Sequence, residues 1–399
     1  MATDVQFICS ENFNAPSLGN AHGALIGVLD VLVNGLLLPP LASAAANGTQ
    51  VTLQFSQNHL LKMFQVIELL SFTPSEINKA YRIIGIPNES TIVIDCDVAN
   101  IESVGNAKLK SFGYEKKYTG LNKAVYRNAD ESAQYRPFLR VDNSLDPVYL
   151  DSYAKYAKVG VLDSCSSIDD VSGMQIPHDP DLPTKNWVGV GSGTTAYNGW
   201  AKWYYARNSN AYGGSADSAS PTNGNRKWMI VGNNKGFYLT NTLTPTESDA
   251  HKMTYGFGVY EPIDDLNILP YFLLATWDYA TIGAVRDFSS NIPNSAPLYG
   301  KIHNILLFGG DNKHLMALPA HDQYTSGKFD DYTNVFACKP YVMLSGGNNG
   351  MLVGELPHIR YLSKLRSDKP YSTMVYSDTM YMVDNGINGV KYVFNLGVI

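Results

Sequence analysis

Between Val51 and Asp95, short apolar runs recur with turn residues between them. Val51-Thr-Leu-Gln-Phe55 and Thr91-Ile-Val-Ile-Asp95 alternate apolar and polar positions, while 64–70 and 81–87 are denser. A period of two over four to seven residues predicts strands. Between the second and third runs, Thr73-Pro74 is followed by Glu76, which predicts a capping box with proline at the first helical position. With a partly alternating fifth run at 107–114, the pattern predicts a small SH3- or OB-like β-barrel over 46–117.

Residues 1–45 predict an irregular arm and one amphipathic helix. Asn14-Ala-Pro-Ser-Leu-Gly-Asn20 is turn-rich, and Asn20 can cap a helix running to about Asn34. Leu25, Val28, Leu29 and Leu32 recur at helical spacing. Gly35 suits the position after the helix, and Pro39-Pro40 blocks its continuation. The 43–48 stretch reads as a small-residue linker.

From 118 to 399 the period of two dominates, predicting a larger, β-sandwich-like region. Runs at 123–127, 136–142, 157–163, 228–232, 236–241, 255–260, 302–309, 335–346, 351–356, 359–365, 374–376, 380–383 and 389–396 read as strands. Asn233-Asn-Lys-Gly236 and Asp384-Asn-Gly386 predict hairpin turns. The 163–226 segment is poor in strands, a length that calls for a functional or interface explanation. The apolar run 266–284 fits either a short helix or a strand pair. No 20–50-residue repeat is visible. The expected class is therefore mainly β, in three parts: 1–45, 46–117 and 118–399.

Composition narrows the roles. Charged residues make up only 17% of 399, with 26 Tyr and 34 Gly in their place. This suits sheets with polar turns and surfaces that meet other proteins or sugars. The net charge of -6, with no basic stripe, argues against nucleic acid as a partner. The apolar stretch 24–38 is too short for a bilayer and is interrupted by Asp30 and Asn34, so no membrane insertion is expected. No leader peptide is apparent at the start. Cys9, Cys96, Cys165 and Cys338 are scattered, which predicts buried free thiols and synthesis in a reducing cytoplasm.

Several segments together resemble a family of tailed-bacteriophage virion structural proteins. They are Asn14-Ala-Pro-Ser-Leu-Gly19 leading into His22–Asp30, then Val66-Ile-Glu-Leu69 and Phe72–Ile83. Tyr114–Arg127, Phe138-Leu-Arg-Val-Asp142, Arg226–Gly232, Gly236-Phe-Tyr-Leu239 and Tyr255-Gly-Phe-Gly258 continue the likeness, with a weaker match at Gly354–Arg360. The resemblance implies a tail-, baseplate- or fibre-associated component located in the virion. It carries over no catalytic residue. Residues 163–226 and 262–330 depart from the pattern.

His303, His314 and His321 with Asp311 and Asp322 have spacings of 11 and 7, unlike a rigid metal template. Asp163, Asp169 and Asp170 could gather around calcium, but lack an EF-hand pattern and read as an Asx-turn loop. Gly189-Val-Gly-Ser-Gly193 misses the nucleophile-elbow spacing, and Thr194 stands where a dinucleotide loop needs glycine. The candidate binding residues are Trp187, Tyr197, Trp200, Trp203, Tyr204 and Tyr205, with Asn198, Asn208 and Asn210 nearby. Core packing, a protein interface and glycan contact all remain open for these rings.

The expectation is a non-enzymatic virion subunit with no cofactor and no metal, a homo-oligomer whose partners are other virion proteins. Its arm would reach a neighbour. The alternatives are a receptor-binding or decoration protein contacting host glycans, and a polysaccharide depolymerase.

Overall fold

The computed structural model describes residues 1–177, 184–192, 199, 201–208, 216–246, 252–263, 269–277, 301–306, 312–319, 337–338, 340–345, 351–362, 371–385 and 391–399. For 276–277, 301–306, 312–319, 337–338, 340–345, 351–352, 361–362, 385 and 391 the backbone alone is described. The chain is mainly β, arranged as five antiparallel sheets. Among the described residues, no helix is long and apolar enough to cross a membrane.

Seven strands between Leu36 and Leu109 form one sheet, in the spatial order Leu36–Leu37, Asn106–Leu109, Val66–Leu70, Ala80–Asn88, Thr91–Asp95, Gln50–Phe55 and Leu41–Asn47. Alternation explains its geometry. Val51, Leu53 and Phe55 are buried, and the first two stand opposite buried Ile94 and Ile92. Thr52 and Gln54 lie on the other face, half-buried and exposed. Each such apolar side chain contributes about 1.5–3 kcal/mol by leaving water. Ala80–Asn88 pairs with Val66–Leu70 through its first half and with Thr91–Asp95 through its second, shifting register twice and so bending the sheet.

Several local expectations change. The 43–48 linker belongs to the edge strand Leu41–Asn47, and Gly48, at φ 61°, makes the turn into Gln50–Phe55. The helical turn near Pro74 is a 3-10 turn, Ser75–Ile77, with no side-chain cap. Asn78 secures it instead, its amide bonding both the N–H and the carbonyl of Phe72. The run 107–114 splits. Asn106–Leu109 closes this sheet, while Tyr114–Gly120 opens another.

The predicted N-terminal helix is two short pieces, Ala24–Leu29 and Val31–Asn34, and it buries Leu25, Val28, Leu29 and Leu32 as the pattern required. Its cap is not Asn20. The carbonyl oxygen of the Asn143 side chain accepts from the N–H groups of Gly23 and Leu25. Asn20 points away, donating to the Pro221 carbonyl and the Asn223 side chain. The arm itself turns inward. Gln6–Cys9 is a fully buried strand paired with Trp228–Asn233.

Beyond residue 113 the strands form four more sheets. Tyr114–Gly120, Lys123–Asn128, Phe138–Asp142, Lys155–Leu162, Ala201–Ala206 and Thr276–Trp277 pair in that order, with Gln175–Ile176 alongside Lys155–Leu162. Gln6–Cys9, Trp228–Asn233, Gly236–Asn241, Met253–Val259 and Tyr271–Leu274 form the next. The 266–284 run thus supplies two strands, to two different sheets. The Asn233–Gly236 hairpin forms, with Asn233 opposite Gly236. Thr379–Asn385 pairs with Lys391–Val398, so Asp384 and Asn385 lie in the strand and not in a turn; Gly386 lies outside the described residues. One hydrophobic cluster runs from Val5 to Leu396, so the small sheet and the larger sheets share a core.

Candidate functional site

The aromatic residues singled out from the sequence lie in the interior wherever they are described. Ala201–Ala206 is buried at every position, because its sheet is covered on both faces. Trp203 stacks on Tyr255 with ring centroids 5.8 Å apart, and its indole N–H donates to the Leu274 carbonyl at 2.8 Å. The Tyr204 hydroxyl donates to Asp217 at 2.7 Å, and the Tyr205 hydroxyl to the Ala21 carbonyl at 2.8 Å. Trp187 packs against Gly160, where a Cβ would come within 2.5 Å of the indole, and it donates to Gln175 at 2.7 Å. These four rings are core, and burial removes them as glycan or protein contacts. Tyr197 and Trp200, with Asn198 and Asn210, lie outside the described residues.

The same interior takes up charges. The Arg140 guanidinium sits 4.3 Å from the Trp187 ring, donates to the Ile168 carbonyl and meets Asp169 at 3.2 Å. Lys158 donates to Asp146 and to the Trp187 carbonyl, with Asp142 at 3.5 Å. Lys252 and Asp384, both fully buried, pair at 2.6 Å, with the ammonium 3.9 Å from the Tyr371 ring centroid and the Thr240 hydroxyl donating to Asp384. Arg82 donates to the carbonyls of Ala2, Phe64, Val5 and Leu396, tying the arm and the C-terminal strand to the small sheet. The sequence signal for these residues is a lone cation inside an apolar run, as in Tyr81-Arg-Ile-Ile84.

The calcium reading gives way to local turns. Asp170 accepts from the backbone and hydroxyl groups of both Ser166 and Ser172, which holds its carboxyl well below the usual range. Asp169 is held by Lys123 and Arg140. No metal-binding group of three or more ligands occurs among the described residues. The backbone places His303 opposite His314; His321, Asp311 and Asp322 lie outside the described residues. Cys9 and Cys96 are buried free thiols, and burial pushes Cys9 up to about 12; Cys165 is half-buried and free.

Two open features remain. The first is a cleft of about 380 Å³ lined by Glu11, Asn58, His59, Lys62, Asn88 and Glu89 with Leu60, Leu61 and Ile86. Its polar groups already have partners: Lys62 pairs with Glu11 at 2.6 Å and Asn58 donates to Glu89. The His59 Nδ1 accepts from the Leu61 N–H, so its Nε2–H faces the Asn88 carbonyl. Burial lowers its pKa further, making it a structural neutral imidazole.

The second feature is a sheet edge. Ser372–Tyr376 is the outermost strand in the order Ala337–Cys338, Ile359–Leu362, Lys391–Val398, Thr379–Asn385, Ser372–Tyr376. Met374, Val375 and Tyr376 are 41%, 47% and 71% exposed, although neighbouring strands bury Met380, Met382 and Phe394. No known family matches the chain in sequence, and no curated protein does.

Proposed function

We propose that the chain is a non-enzymatic structural subunit of a tailed-phage virion, held by protein–protein contacts in the tail, baseplate or fibre-attachment region. The resemblance of its N-terminal and barrel segments supports this reading, as does the low charge of the chain. The observation that carries it is the distribution of charge. Arg140, Lys158 and Lys252 in the central sheets face inward onto carboxylates, carbonyls and rings, whereas the exposed strand Ser372–Tyr376 carries apolar side chains and no charge. Soluble monomers commonly protect such edges with lysine, proline or a covering segment. An open apolar edge is what a subunit presents to a neighbour.

The test is composition of the particle. Gradient-purified virions from the genome that encodes this chain are digested and quantified by mass spectrometry, with antibody labelling in the electron microscope. A constant copy number and label at one place on the tail are expected. Virions free of the protein would sink the reading.

A further inference from the structure

We infer that Ser372–Tyr376 is a self-pairing edge, which joins two copies of this chain across a two-fold axis at Met374. The inference rests on the reading of the chain as an assembly subunit and names one of its partners: a second copy.

The hairpin geometry determines which backbone groups are free. Ser377 and Asp378 both have positive φ, 46° and 62°, and Tyr376 stands opposite Thr379. This is a two-residue turn of the I′ kind, in which the flanking residues form a hydrogen-bonded pair. Hydrogen-bonded and non-hydrogen-bonded pairs then alternate along the ladder. Ser372, Met374 and Tyr376 therefore direct their N–H and C=O toward Thr379–Asn385. Thr373 and Val375 direct theirs outward, with no strand beyond them among the described residues.

An antiparallel copy centred on Met374 satisfies all four outward groups of each strand. Thr373 would face Val375 of the second copy and Val375 its Thr373, each as a hydrogen-bonded pair. Met374 would face its own counterpart as a non-hydrogen-bonded pair. The lateral partners suit one another: two β-branched pairs on one face, and Met374 on Met374 flanked by Tyr376 over Ser372 on the other.

Charge favours the same occupant. Two identical strands repel whenever they carry charge at facing positions, and Ser-Thr-Met-Val-Tyr carries none. Four of the other edges among the described residues differ. Tyr114–Gly120 displays Glu115, Lys116 and Lys117, while Gln6–Cys9 and Tyr271–Leu274 are buried. Leu41–Asn47 is uncharged, but it is bulged between Leu41 and Ser43 and offers mainly alanine side chains. Only a closed two-fold contact uses the same patch twice, so it ends at a pair and does not propagate into a fibre.

The full chain is examined by light scattering coupled to size exclusion, beside Val375→Lys and Val375→Pro. Proline at 375 removes an outward N–H and leaves the intramolecular ladder intact, and lysine places like charges across the pair. A wild-type mass of twice the 43.8 kDa chain is expected, with monomeric variants whose circular dichroism is unchanged. Met374→Cys reads the register: facing positions at about 4.5 Å permit a disulfide between copies on mild oxidation, which Val375→Cys does not form. A wild-type monomer, or variants that remain dimeric, would overturn the self-pairing. So would equal crosslinking at 374 and 375. None of these results touches presence in the virion, which is measured separately on particles.

Discussion

The strands Gln50–Phe55 and Thr91–Asp95 of the small sheet and the sheet containing Lys155–Leu162 are both antiparallel, yet they use side chains in opposite ways. Gln50–Phe55 buries every second residue and leaves the rest toward solvent. Lys155–Leu162 and Ala201–Ala206 bury all of theirs, two lysines in the first and one in the second. A sheet covered on one face needs only apolar residues inside. One covered on both faces must find a partner for every polar group its sequence carries, since an unpaired buried charge costs several kcal/mol. The difference teaches that aromatic and charged residues on a two-sided strand are first of all structural, however much their composition resembles a binding site.

The largest expected effect breaks an internal pair. Lys252→Met leaves the fully buried Asp384 carboxylate without its ammonium and should cost about 3–5 kcal/mol in urea unfolding. Combining it with Asp384→Leu removes both charges and should recover much of that loss. If the single and double variants unfold alike, the pair is not what holds Met253–Val259 against Thr379–Asn385.

Arg82 brings the same logic into the small sheet, whose strands Val66–Leu70 and Ala80–Asn88 bury consecutive residues on both faces. Burial pulls its guanidinium down to about 10, which still leaves it charged at neutral pH. Arg82→Met removes the donors to four carbonyls and should cost about 2–3 kcal/mol. Hydrogen exchange should show the loosening at residues 2–5 and 396 before the 50–55 strand. Uniform loosening would mean that Arg82 supports the sheet itself and not its attachments.

These two regions were unequally legible. In Val51–Phe55 and Thr91–Asp95 each residue's face follows from its chemistry, so periodicity predicted both strands. The hairpin at Asn233–Gly236 was legible because turn chemistry is local. The mainly β class followed from the same signals. By contrast, nothing near Gly23 announces that Asn143 caps the helix, and nothing near residue 7 announces its partner at 231. Both depend on contacts between distant segments, which a periodicity cannot encode. Trp203, Tyr204 and Tyr205 left core packing, a protein interface and glycan contact open for a related reason. Three aromatics in a row have no period of two, the mark of a strand buried on both sides, and the same run also describes a sugar platform.

Acidification separates the regions by a smaller margin. His358 is largely buried near Arg360 and Lys235, and its pKa is lowered from 6.5 to about 4, with Nε2 accepting from the Asn233 amide. A histidine with a depressed folded pKa binds its proton more readily when unfolded. Its contribution is therefore present above about pH 6.5 and lost as the pH falls toward 4. The shift corresponds to about 1–2 kcal/mol lost between pH 7 and 5. His358→Asn tolerates the local φ of 62° and offers an amide in place of the ring, so it should flatten stability across that window. An unchanged pH slope would assign the acid sensitivity to other groups, His22 and His59 included, whose pKa values burial also lowers.

The smallest effect tests the outer face of the small sheet. Gln54 is exposed, and its side chain meets only a surface hydroxyl, that of Ser43 at 3.2 Å. Gln54→Thr keeps the strand backbone, adds β-branching that suits a pleated surface, and removes a weak solvent-exposed bond. The stability change should stay within about 0.5 kcal/mol. A loss above about 1 kcal/mol would mean that residues on this face are packed against something in the isolated protein. The one-sided description of Gln50–Phe55 and Thr91–Asp95 would then fail, and with it the contrast that explains why these strands were readable and those around Trp203 were not.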